Sequence, residues 1–443
     1  MSKLSIFLGL LCICSSYYIT FPGSEYYPEQ VHVSYYESGT LSFTWVTQND
    51  TDESKVLYRQ GYSTFSVAIG YSKPFNPGNR TFYNHHVVIK NMFPNTTYEY
   101  YVGTDKHWSD KLYIRVPHNI PDKKFSFVVY ADYGYTNDVS TSAIENIVLD
   151  GRVDMVMHAG DMAYDLNTYN GTMGDSFMRM IQPFSSRVPY QVCPGNHEYI
   201  DNFTHYKSRF TLPGDSDGLW YSYNVPNAHI ISISTEVYFS DTYDGMINQY
   251  NWLELDLAQA VKNRVEYPWI IMYGHRPMYC SEITTVDYGR KQELDRMEKY
   301  NGPYQGCTIS TSLVRDGITI RKKQKYGLES LLKKYNVDVF ICGHEHIYER
   351  MFPVYQNMVE KQDLHTYINP QYPTHIISGS PGCDEKLDVF NTTAGPWTAF
   401  RSATYGIGIL DIYNSSYLHW QQIDTTESET NTTLIDEFVI IKE

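Results

Sequence analysis

Positive charge is in short supply in this chain of 443 residues. Its 35 Lys and Arg stand against 50 Asp and Glu, which leaves a formal net charge of −15. Such a surface repels a phosphate backbone, so the composition argues against a protein that binds nucleic acid. A small anionic substrate would need a local source of positive charge, and a bound metal ion is one such source.

Long apolar runs are scarce as well. The run from Leu4 to Cys14 follows Lys3 and precedes Ser15-Ser16, and no later run approaches the ~18 residues that a membrane-spanning helix needs. A basic residue, a short apolar stretch and small residues, in this order, are typical of a secretory signal peptide. We therefore predict a signal peptide over residues 1–16, no membrane span, and a secreted or lysosomal protein.

Cysteine is too rare to be the framework of the fold. Seven are present, and removal of the predicted signal peptide leaves five: Cys193, Cys280, Cys307, Cys342 and Cys383. Cys280 and Cys307 flank a polar stretch and are the pair that we expect to form a disulfide. Cys193 and Cys342 lie in apolar runs, where we expect buried thiols.

Export is also indicated by eight Asn-x-Ser/Thr sequences, none of which has proline in the middle. Each is weak evidence alone, but together they favour a glycosylated surface. The predicted glycosylation sites are Asn49, Asn79, Asn95, Asn170, Asn202, Asn391, Asn414 and Asn431.

Residues 22–117 have the pattern of an antiparallel β-sandwich. Leu41, Phe43 and Trp45 alternate with other residues at period two, and Gly, Pro and Asn interrupt the pattern every ten residues or so. The string Met92–Tyr98 resembles the turn and tyrosine corner of a fibronectin type III domain. We predict such a domain here, and we expect the pair His85-His86 at its surface.

After Lys124, short apolar runs alternate with helical patterns, which predicts an α/β domain over residues 124–443, with mixed sheets flanked by helices. The predicted strands are Phe125–Tyr130, Val153–His158, Pro189–Cys193, Ala228–Ser234, Trp269–Tyr273, Val337–Cys342 and Thr374–Ser378.

Five of these runs lead directly into polar residues with metal-binding side chains. These residues are Asp132, Asp161, Tyr164, Asn196, His275, His344 and His346. Because the carboxyl ends of strands in a doubly wound sheet gather at one edge, we expect the side chains to converge there. Seven ligands, with one carboxylate shared, give each of two metal ions four ligands and leave positions open for water and substrate.

Taken in order, these five motifs resemble those of the purple acid phosphatases, within the binuclear metallophosphoesterase superfamily. The resemblance covers nearly the whole mature chain, including the fibronectin-like domain. It implies an acid phosphatase that hydrolyses phosphate monoesters at a binuclear centre. It further implies that one metal ion is held by Asp132, Tyr164 and His346, that the other is held by Asn196, His275 and His344, and that Asp161 bridges them.

The ligand types suggest which metal ions these are. Much of the superfamily has a histidine where this chain has Gly134, and Tyr164 can replace that ligand as a phenolate. A hard, anionic oxygen favours Fe(III), whereas the second set suits Zn(II), Fe(II) or Mn(II) and does not decide among them. We expect a metal-bound hydroxide to attack a small phosphoester, with an acid pH optimum.

The proton donor for the leaving group is the open point of this interpretation. His197 resembles the family histidine that contacts the substrate phosphate, and it is the leading candidate. Many relatives carry another histidine nine or ten residues after the ligand that corresponds to His275, but this chain has Thr284 and Thr285 there. A side chain such as Tyr279, Glu282 or Asp287 stays open as a substitute.

Two other functions also stay open at this point. The same metal centre could serve a phosphodiesterase or a nucleotide or diphosphate hydrolase. Alternatively, the chain could be a catalytically weak cell-surface protein whose fibronectin-like domain binds partners. The sequence does not decide whether the mature chain is a monomer or a homodimer.

Overall fold

The computed structural model of the chain describes residues 23–240, 242–281, 308–315, 318–390, 393–426 and 432–443, without the side chains of 308–324. The predicted signal peptide and Cys307 lie outside these residues, as do the sites Asn391 and Asn431. Signal cleavage and the Cys280–Cys307 disulfide therefore stay predictions.

The N-terminal region consists of two facing β-sheets. The first has the order β1-β2-β6-β5, and the second has the order β4-β3-β7-β8 with β9 also paired to β7. The strands are β1 (Glu29–Glu37), β2 (Thr40–Thr47), β3 (Lys55–Gln60), β4 (Ser66–Ile69), β5 (Tyr71–Phe75), β6 (Phe82–Ile89), β7 (Thr96–Thr104), β8 (His107–Trp108) and β9 (Leu112–Val116).

Alternating apolar side chains fill the space between these two sheets. Phe43 of β2 packs edge-to-face on Tyr100 of β7, with ring centres 5.0 Å apart. The Tyr98 hydroxyl accepts a hydrogen bond from the Phe93 backbone N–H at 3.0 Å, which ties the chain entering β7 to the strand itself. This bond is of the kind made by a tyrosine corner, as the sequence predicts.

The second region is built on two seven-stranded mixed sheets. Their strand orders are β14-β12-β10-β27-β28-β29-β24 and β15-β16-β17-β20-β25-β21-β26. The first sheet contains β10 (Phe125–Tyr130), β12 (Met155–His158), β14 (Tyr190–Val192), β24 (Thr366–Ile368), β27 (Gly406–Ile412), β28 (Tyr417–Asp424) and β29 (Thr433–Ile441). The second contains β15 (Tyr221–Val225), β16 (Ala228–Ser232), β17 (Trp269–Tyr273), β20 (Val339–Cys342), β21 (Tyr348–Met351), β25 (Thr374–Ser378) and β26 (Thr398–Ser402).

Short ribbons and helices complete this region. The ribbons pair β11 (Tyr133–Gly134) with β13 (Met162–Ala163), β18 (Thr308–Arg315) with β19 (Ile318–Lys325), and β22 (Val354–Tyr355) with β23 (Met358–Val359). Within the described residues, the helices are α1 (Thr141–Leu149), α2 (Thr172–Ser185), α3 (Ile200–Arg209), α4 (Asp244–Lys262) and α5 (Leu328–Lys334), and Glu236–Tyr238 forms a 3-10 turn. No helix among the described residues is long and apolar enough to span a bilayer.

Apolar side chains from both large sheets form one continuous buried cluster, which places the core between them. A second cluster lies where α4 and α5 cover the outer face of the second sheet, with Leu253, Leu257 and Leu331 against Ile270 and Phe340. The predicted fold class, a β-sandwich followed by an α/β domain of mixed sheets flanked by helices, is confirmed. Each of the seven predicted strands contains a strand of the structure.

One expectation about the sandwich is wrong. His85 and His86 do not lie at the surface, because they are 0% and 6% exposed. His85 stacks on Trp45 with ring centres 4.9 Å apart, and His86 contacts the hydroxyl of Thr211 in the second region. The period-two pattern does not reveal this burial, because part of the covering surface comes from the other region.

One of the places where the two regions meet is β14, an edge strand of the first large sheet. The Gln191 side chain accepts a hydrogen bond from the Tyr35 backbone N–H at 2.7 Å and donates one to the Tyr35 carbonyl at 3.1 Å. Because β14 leads into Asn196 and His197, the sandwich supports a strand that carries two of the predicted site residues.

Candidate binuclear metal centre

All seven predicted ligands lie in segments that follow the carboxyl ends of strands in the two large sheets. β10, β12 and β14 of the first sheet run parallel to one another, as do β17 and β20 of the second. Asp132, Asp161, Tyr164 and His344 have left-handed backbone conformations, with φ between 46° and 71°. Such conformations are unfavourable for residues other than glycine, and they cluster where a function requires a sharp turn.

One group of ligand atoms is formed by Asp132, Tyr164 and His346. The Tyr164 hydroxyl donates to Oδ1 of Asp132 at 3.2 Å and contacts Nε2 of His346 at 2.9 Å. Nε2 of His346 is 3.7 Å from the same carboxylate oxygen. The three side chains therefore present a carboxylate, a phenol and an imidazole to a common point.

A second group is formed by Asp161, Asn196, His275 and His344. Nε2 of His275 is 2.9 Å from Oδ2 of Asp161 and 3.1 Å from Oδ1 of Asn196. Ligand atoms of Asp161, His275 and His344 all lie within 4.8 Å of one another. The Nδ1–H of His275 donates to the Ala159 carbonyl at 3.0 Å, which orients the ring toward Asp161.

Glycines in the motifs let the backbones approach this closely. A Cβ atom on Gly195 would lie 2.1 Å from Oδ1 of Asp161, and one on Gly343 would lie 2.1 Å from Oδ2 of Asp132. A Cβ atom on Gly134 would lie 2.7 Å from a carboxylate oxygen of Asp384. The position that often carries a histidine ligand in the superfamily is thus closed by a neighbouring loop in this chain.

The chemistry of the donors fits a pair of cations. Asp132 and Asp161 are 0% and 1% exposed, and burying carboxylates is costly unless they are compensated. Burial raises the pKa of Asp132 to about 7, although His275 and His346 oppose the shift. Burial lowers the pKa of His275, but the Asp161 carboxylate outweighs it and raises the value to about 9. Metal ions would supply the positive charge that these protons supply otherwise.

His197 lies beside the two groups rather than within them. Its Nδ1 is hydrogen-bonded to the Asp165 carboxylate, and its ring packs on Tyr164 with ring centres 4.5 Å apart. Its Nε2 is 3.9 Å from Oδ2 of Asp161. Burial lowers the pKa of His197, but Asp161 and Asp165 outweigh burial and raise it to about 10.

The sequence alone does not identify two residues that support the ligands. The buried Glu198 carboxylate accepts hydrogen bonds from the backbone N–H groups of Asp161, Met162 and Gly195, all at 2.8–2.9 Å, and so fixes the turn that carries Asp161. Sγ of buried Cys383 lies 3.1 Å from Nδ1 of His346. Glu198 follows His197 directly and could have been noticed, whereas nothing local marks Cys383.

The alternative proton donors are placed differently. The Tyr279 hydroxyl donates to the carboxylate of Glu329 at the start of α5, which leaves that proton engaged away from the ligand groups. Glu282 and Asp287 lie outside the described residues. Cys193 and Cys342 are buried thiols, as expected.

Three family models match the chain. Residues 125–348 match the calcineurin-like phosphoesterase model, residues 28–115 match the purple acid phosphatase N-terminal domain, and residues 372–437 match the C-terminal model of iron/zinc purple acid phosphatase-like proteins. The class that fold and site define is therefore a calcineurin-like metallophosphoesterase with an added β-sandwich.

Relatives with curated names support the same class of protein. The chain is 38% identical to "Acid phosphatase type 7" of Danio rerio, over 98% of this chain and 95% of that one, and 39% identical to the protein of the same name in Homo sapiens, over 89% and 87%. It is 29% identical to "Probable purple acid phosphatase 20" of Arabidopsis thaliana, over 89% of this chain and 84% of that one.

The fold also matches that of a purple acid phosphatase from yellow lupin seeds, with a TM-score of 0.75 and 22% identity, over 94% of this chain and 75% of that one. The chain belongs to the purple acid phosphatase family. It is a metal-dependent phosphatase, a phosphoric monoester hydrolase whose family implies a binuclear metal site and small phosphoester substrates.

Proposed function

We propose that the chain is an exported acid phosphatase that hydrolyses phosphate monoesters at an Fe(III)–M(II) centre, where M is Zn, Fe or Mn. Asp132, Tyr164 and His346 hold the ferric ion, Asn196, His275 and His344 hold the divalent ion, and Asp161 bridges them. The observation that carries this proposal is the convergence of two separate ligand groups from five strand ends.

The assignment of Fe(III) to the first group follows from its donors. Asp132 and Tyr164 offer two oxygens that are anionic once deprotonated, and anionic oxygen donors favour a trivalent ion. The second group offers two imidazoles, an amide and the shared carboxylate, which suits a divalent ion. When bound, the two ions neutralise the phosphate oxygens and activate the attacking water, even in acid.

The protein itself orients the ligands and excludes water. Glu198 fixes the turn of Asp161, the Ala159 carbonyl orients His275, and the Lys386 carbonyl accepts the Nδ1–H of His346 at 2.9 Å. With both aspartates buried, the charges act in a region of low dielectric, where they interact more strongly than in water. The chain thus holds the ligand geometry before substrate arrives.

His197 is placed to handle the substrate and the departing alcohol. Because Asp165 holds Nδ1, the other ring nitrogen faces the edge of the site near Asp161. A proton held on Nε2 would be donated to the leaving-group oxygen, or to a phosphate oxygen before it. His197 is 19% exposed in its side chain, so a substrate can reach it from outside.

Export is supported by the surface positions of the glycosylation sites. Asn79, Asn95, Asn170 and Asn202 are exposed, and Asn49 and Asn414 are half-buried. A glycan requires such a position. The secreted or lysosomal destination follows from the apolar N-terminal run together with these sites.

The test is a visible spectrum and a metal analysis of protein purified from a secretory expression host. We expect two transition ions per chain, a tyrosinate–Fe(III) charge-transfer band, and faster turnover of p-nitrophenyl phosphate than of bis(p-nitrophenyl) phosphate in acid. Tyr164→Phe should abolish the band, whereas Tyr169→Phe, at a tyrosine 76% exposed in the same loop, should keep it. One ion or none per chain, with no hydrolysis after reconstitution, would contradict the proposal.

A further inference from the structure

Glu385 lies at the outer edge of the candidate metal centre, in the segment that follows β25. Its Oε1 is 3.9 Å from Nε2 of His197, the ring nitrogen that we assign to the leaving group. The side chain of Glu385 is 59% exposed, so this contact faces solvent. The other ring nitrogen of His197 is hydrogen-bonded to Asp165. Nε2 is therefore the nitrogen that Glu385 and a substrate both approach.

Two carboxylates flank this nitrogen at the same distance, but their surroundings differ. Oδ2 of Asp161 is also 3.9 Å from Nε2 of His197, and the Asp161 side chain is buried among the ligand groups. Glu385 instead lies toward solvent. Since the phosphate of a substrate must lie on the metal side of His197, the alcohol part of the ester lies on the side of Glu385.

The backbone around Glu385 is tied to the centre on both sides. The side-chain amide of Asn137 donates to the Cys383 carbonyl at 2.6 Å, two residues before Glu385. The Lys386 carbonyl, one residue after it, accepts the Nδ1–H of His346 at 2.9 Å. The carboxylate of Glu385 is therefore held at the edge of the centre by contacts that also support a predicted ligand.

A carboxylate in this place is unfavourable for most phosphate esters. A phosphate monoester is an anion, and Glu385 repels it over a distance too short for salt to screen fully. The formal net charge of −15 means that the rest of the chain adds to this repulsion. An alcohol part with a positive charge would turn the interaction with Glu385 into an attraction. The position of this carboxylate thus favours one class of substrate.

The distances suit the ester of a short amino alcohol. The leaving oxygen must lie about 3 Å from Nε2 of His197 to receive a proton, which places it within about 7 Å of Oε1 of Glu385. An ammonium group two carbons away lies about 3–4 Å from that oxygen, and a salt bridge spans the remaining distance.

We propose that Glu385 is a substrate-binding residue that selects phosphate monoesters of small amino alcohols by pairing with their ammonium group. This inference rests on the proposed function, because it takes the leaving oxygen to lie at His197. Glu385 acts on the alcohol part of the ester, so it adds to the roles of the metal ligands and of His197 and replaces none of them.

The test compares phosphoethanolamine with propyl phosphate, its uncharged isostere, in metal-loaded wild type, Glu385→Gln and Glu385→Lys. We expect Glu385→Gln to lower kcat/KM for phosphoethanolamine about 3- to 5-fold, which is the effect of one partly exposed ion pair. The same variant should raise kcat/KM for propyl phosphate, because a negative charge no longer repels the anion. Glu385→Lys should enlarge both changes, and high salt should reduce them.

A binding measurement separates recognition from chemistry. The two phosphonates in which a methylene group replaces the ester oxygen are not hydrolysed, and calorimetry should show the same opposite changes in their affinities. The control Glu266→Gln removes an exposed glutamate that precedes β17, at the end of that strand away from His275, and should leave the ratio of the two esters unchanged. All three variants should keep the wild-type metal content.

The outcomes separate this inference from the proposed function. If Glu385 serves only as a partner of His197, Glu385→Gln will change kcat/KM for both esters by the same factor, and the inference is overturned while the phosphatase stands. Loss of metal from Glu385→Gln would also overturn it, because Glu385 would then be a support of the ligands. A wild-type protein that takes up no metal pair and hydrolyses neither ester would contradict the proposed function itself.

Discussion

Buried histidines occur in both regions of the molecule, but their partners differ. In the sandwich, His85 meets the hydroxyl of Thr47 at 2.8 Å and that of Ser54 at 2.9 Å. At the metal centre, His275 meets the carboxylate of Asp161 at 2.9 Å. Burial alone lowers the pKa of His85 to about 4, whereas the carboxylate reverses the effect of burial at His275.

The comparison shows that burial of a histidine does not indicate function. Hydroxyl groups can donate or accept, so they satisfy a neutral ring and no cation is needed. Carboxylates require positive charge nearby, and a proton or a metal ion supplies it. What distinguishes the metal centre is therefore the charge of the partners rather than the presence of histidine.

The largest expected effect on activity follows from replacing the bridging carboxylate, Asp161. Asp161→Asn should lower kcat for p-nitrophenyl phosphate by ~10³-fold or more, because both metal ions lose a charged ligand. Asp256→Asn is the matched control, since Asp256 also lies 2.9 Å from a histidine, His229, at the surface of the second sheet. Equal losses in the two variants would show that the effect of Asp161→Asn does not come from the loss of a metal ligand.

Next in size is the effect of removing His197. This histidine also has a carboxylate partner, but we do not assign the histidine as a metal ligand. His197→Ala should lower kcat by about 10²-fold while the metal content stays at the wild-type level, and alkyl phosphates should suffer more than aryl phosphates. His229→Ala serves as the control and should be fully active. Metal loss in His197→Ala would show that this histidine belongs with the ligands.

The third prediction concerns the effect of acidic pH on the stability of the sandwich. In the unfolded chain His85 becomes protonated below pH 6.5, whereas in the folded chain it becomes protonated only near pH 4. The contribution of His85 to the free energy of unfolding is therefore fully present above pH 6.5 and declines as the pH falls. At pH 5 the resulting decrease in the free energy of unfolding is about 2 kcal/mol. Urea unfolding at pH 7 and pH 5 should show a correspondingly smaller pH dependence in His85→Gln than in the wild-type protein.

The smallest effect should follow from removing one hydroxyl partner. Ser54→Ala leaves Nδ1 of His85 without the 2.9 Å contact and should lower the free energy of unfolding by about 1 kcal/mol. Activity and metal content should not change, because the sandwich histidine has no part in the centre. A metal content below wild type would mean that the two regions are coupled more tightly than their hydrogen bonds suggest.

The sequence predicted the large-scale arrangement well, for a physical reason. Period-two strands, buried apolar runs and the polar residues that end them are local patterns, and the sheet rule then brings strand ends together. Asp132, Asp161 and His275 could be placed near one another in this way. Their assignment to particular ions remains a prediction.

The supporting contacts could not be predicted, because they join residues that are distant in the chain. The Glu236 carboxylate pairs with the Arg276 guanidinium across 40 residues, and Cys383 reaches His346 across 37. The burial of His85 and His86 escaped for a related reason, since His86 is covered by Thr211 of the other region. No window of local sequence contains both members of such a pair.

The attachment of the sandwich to β14 has a practical consequence. An outermost strand offers unpaired backbone groups to any other chain, and here the first region covers that flank through Tyr35 and Gln191. A protein shortened to residues 124–443 would uncover it, and we expect such a fragment to self-associate and to hold Asn196 less firmly. The sandwich is thus a shield against misassembly as much as a second domain.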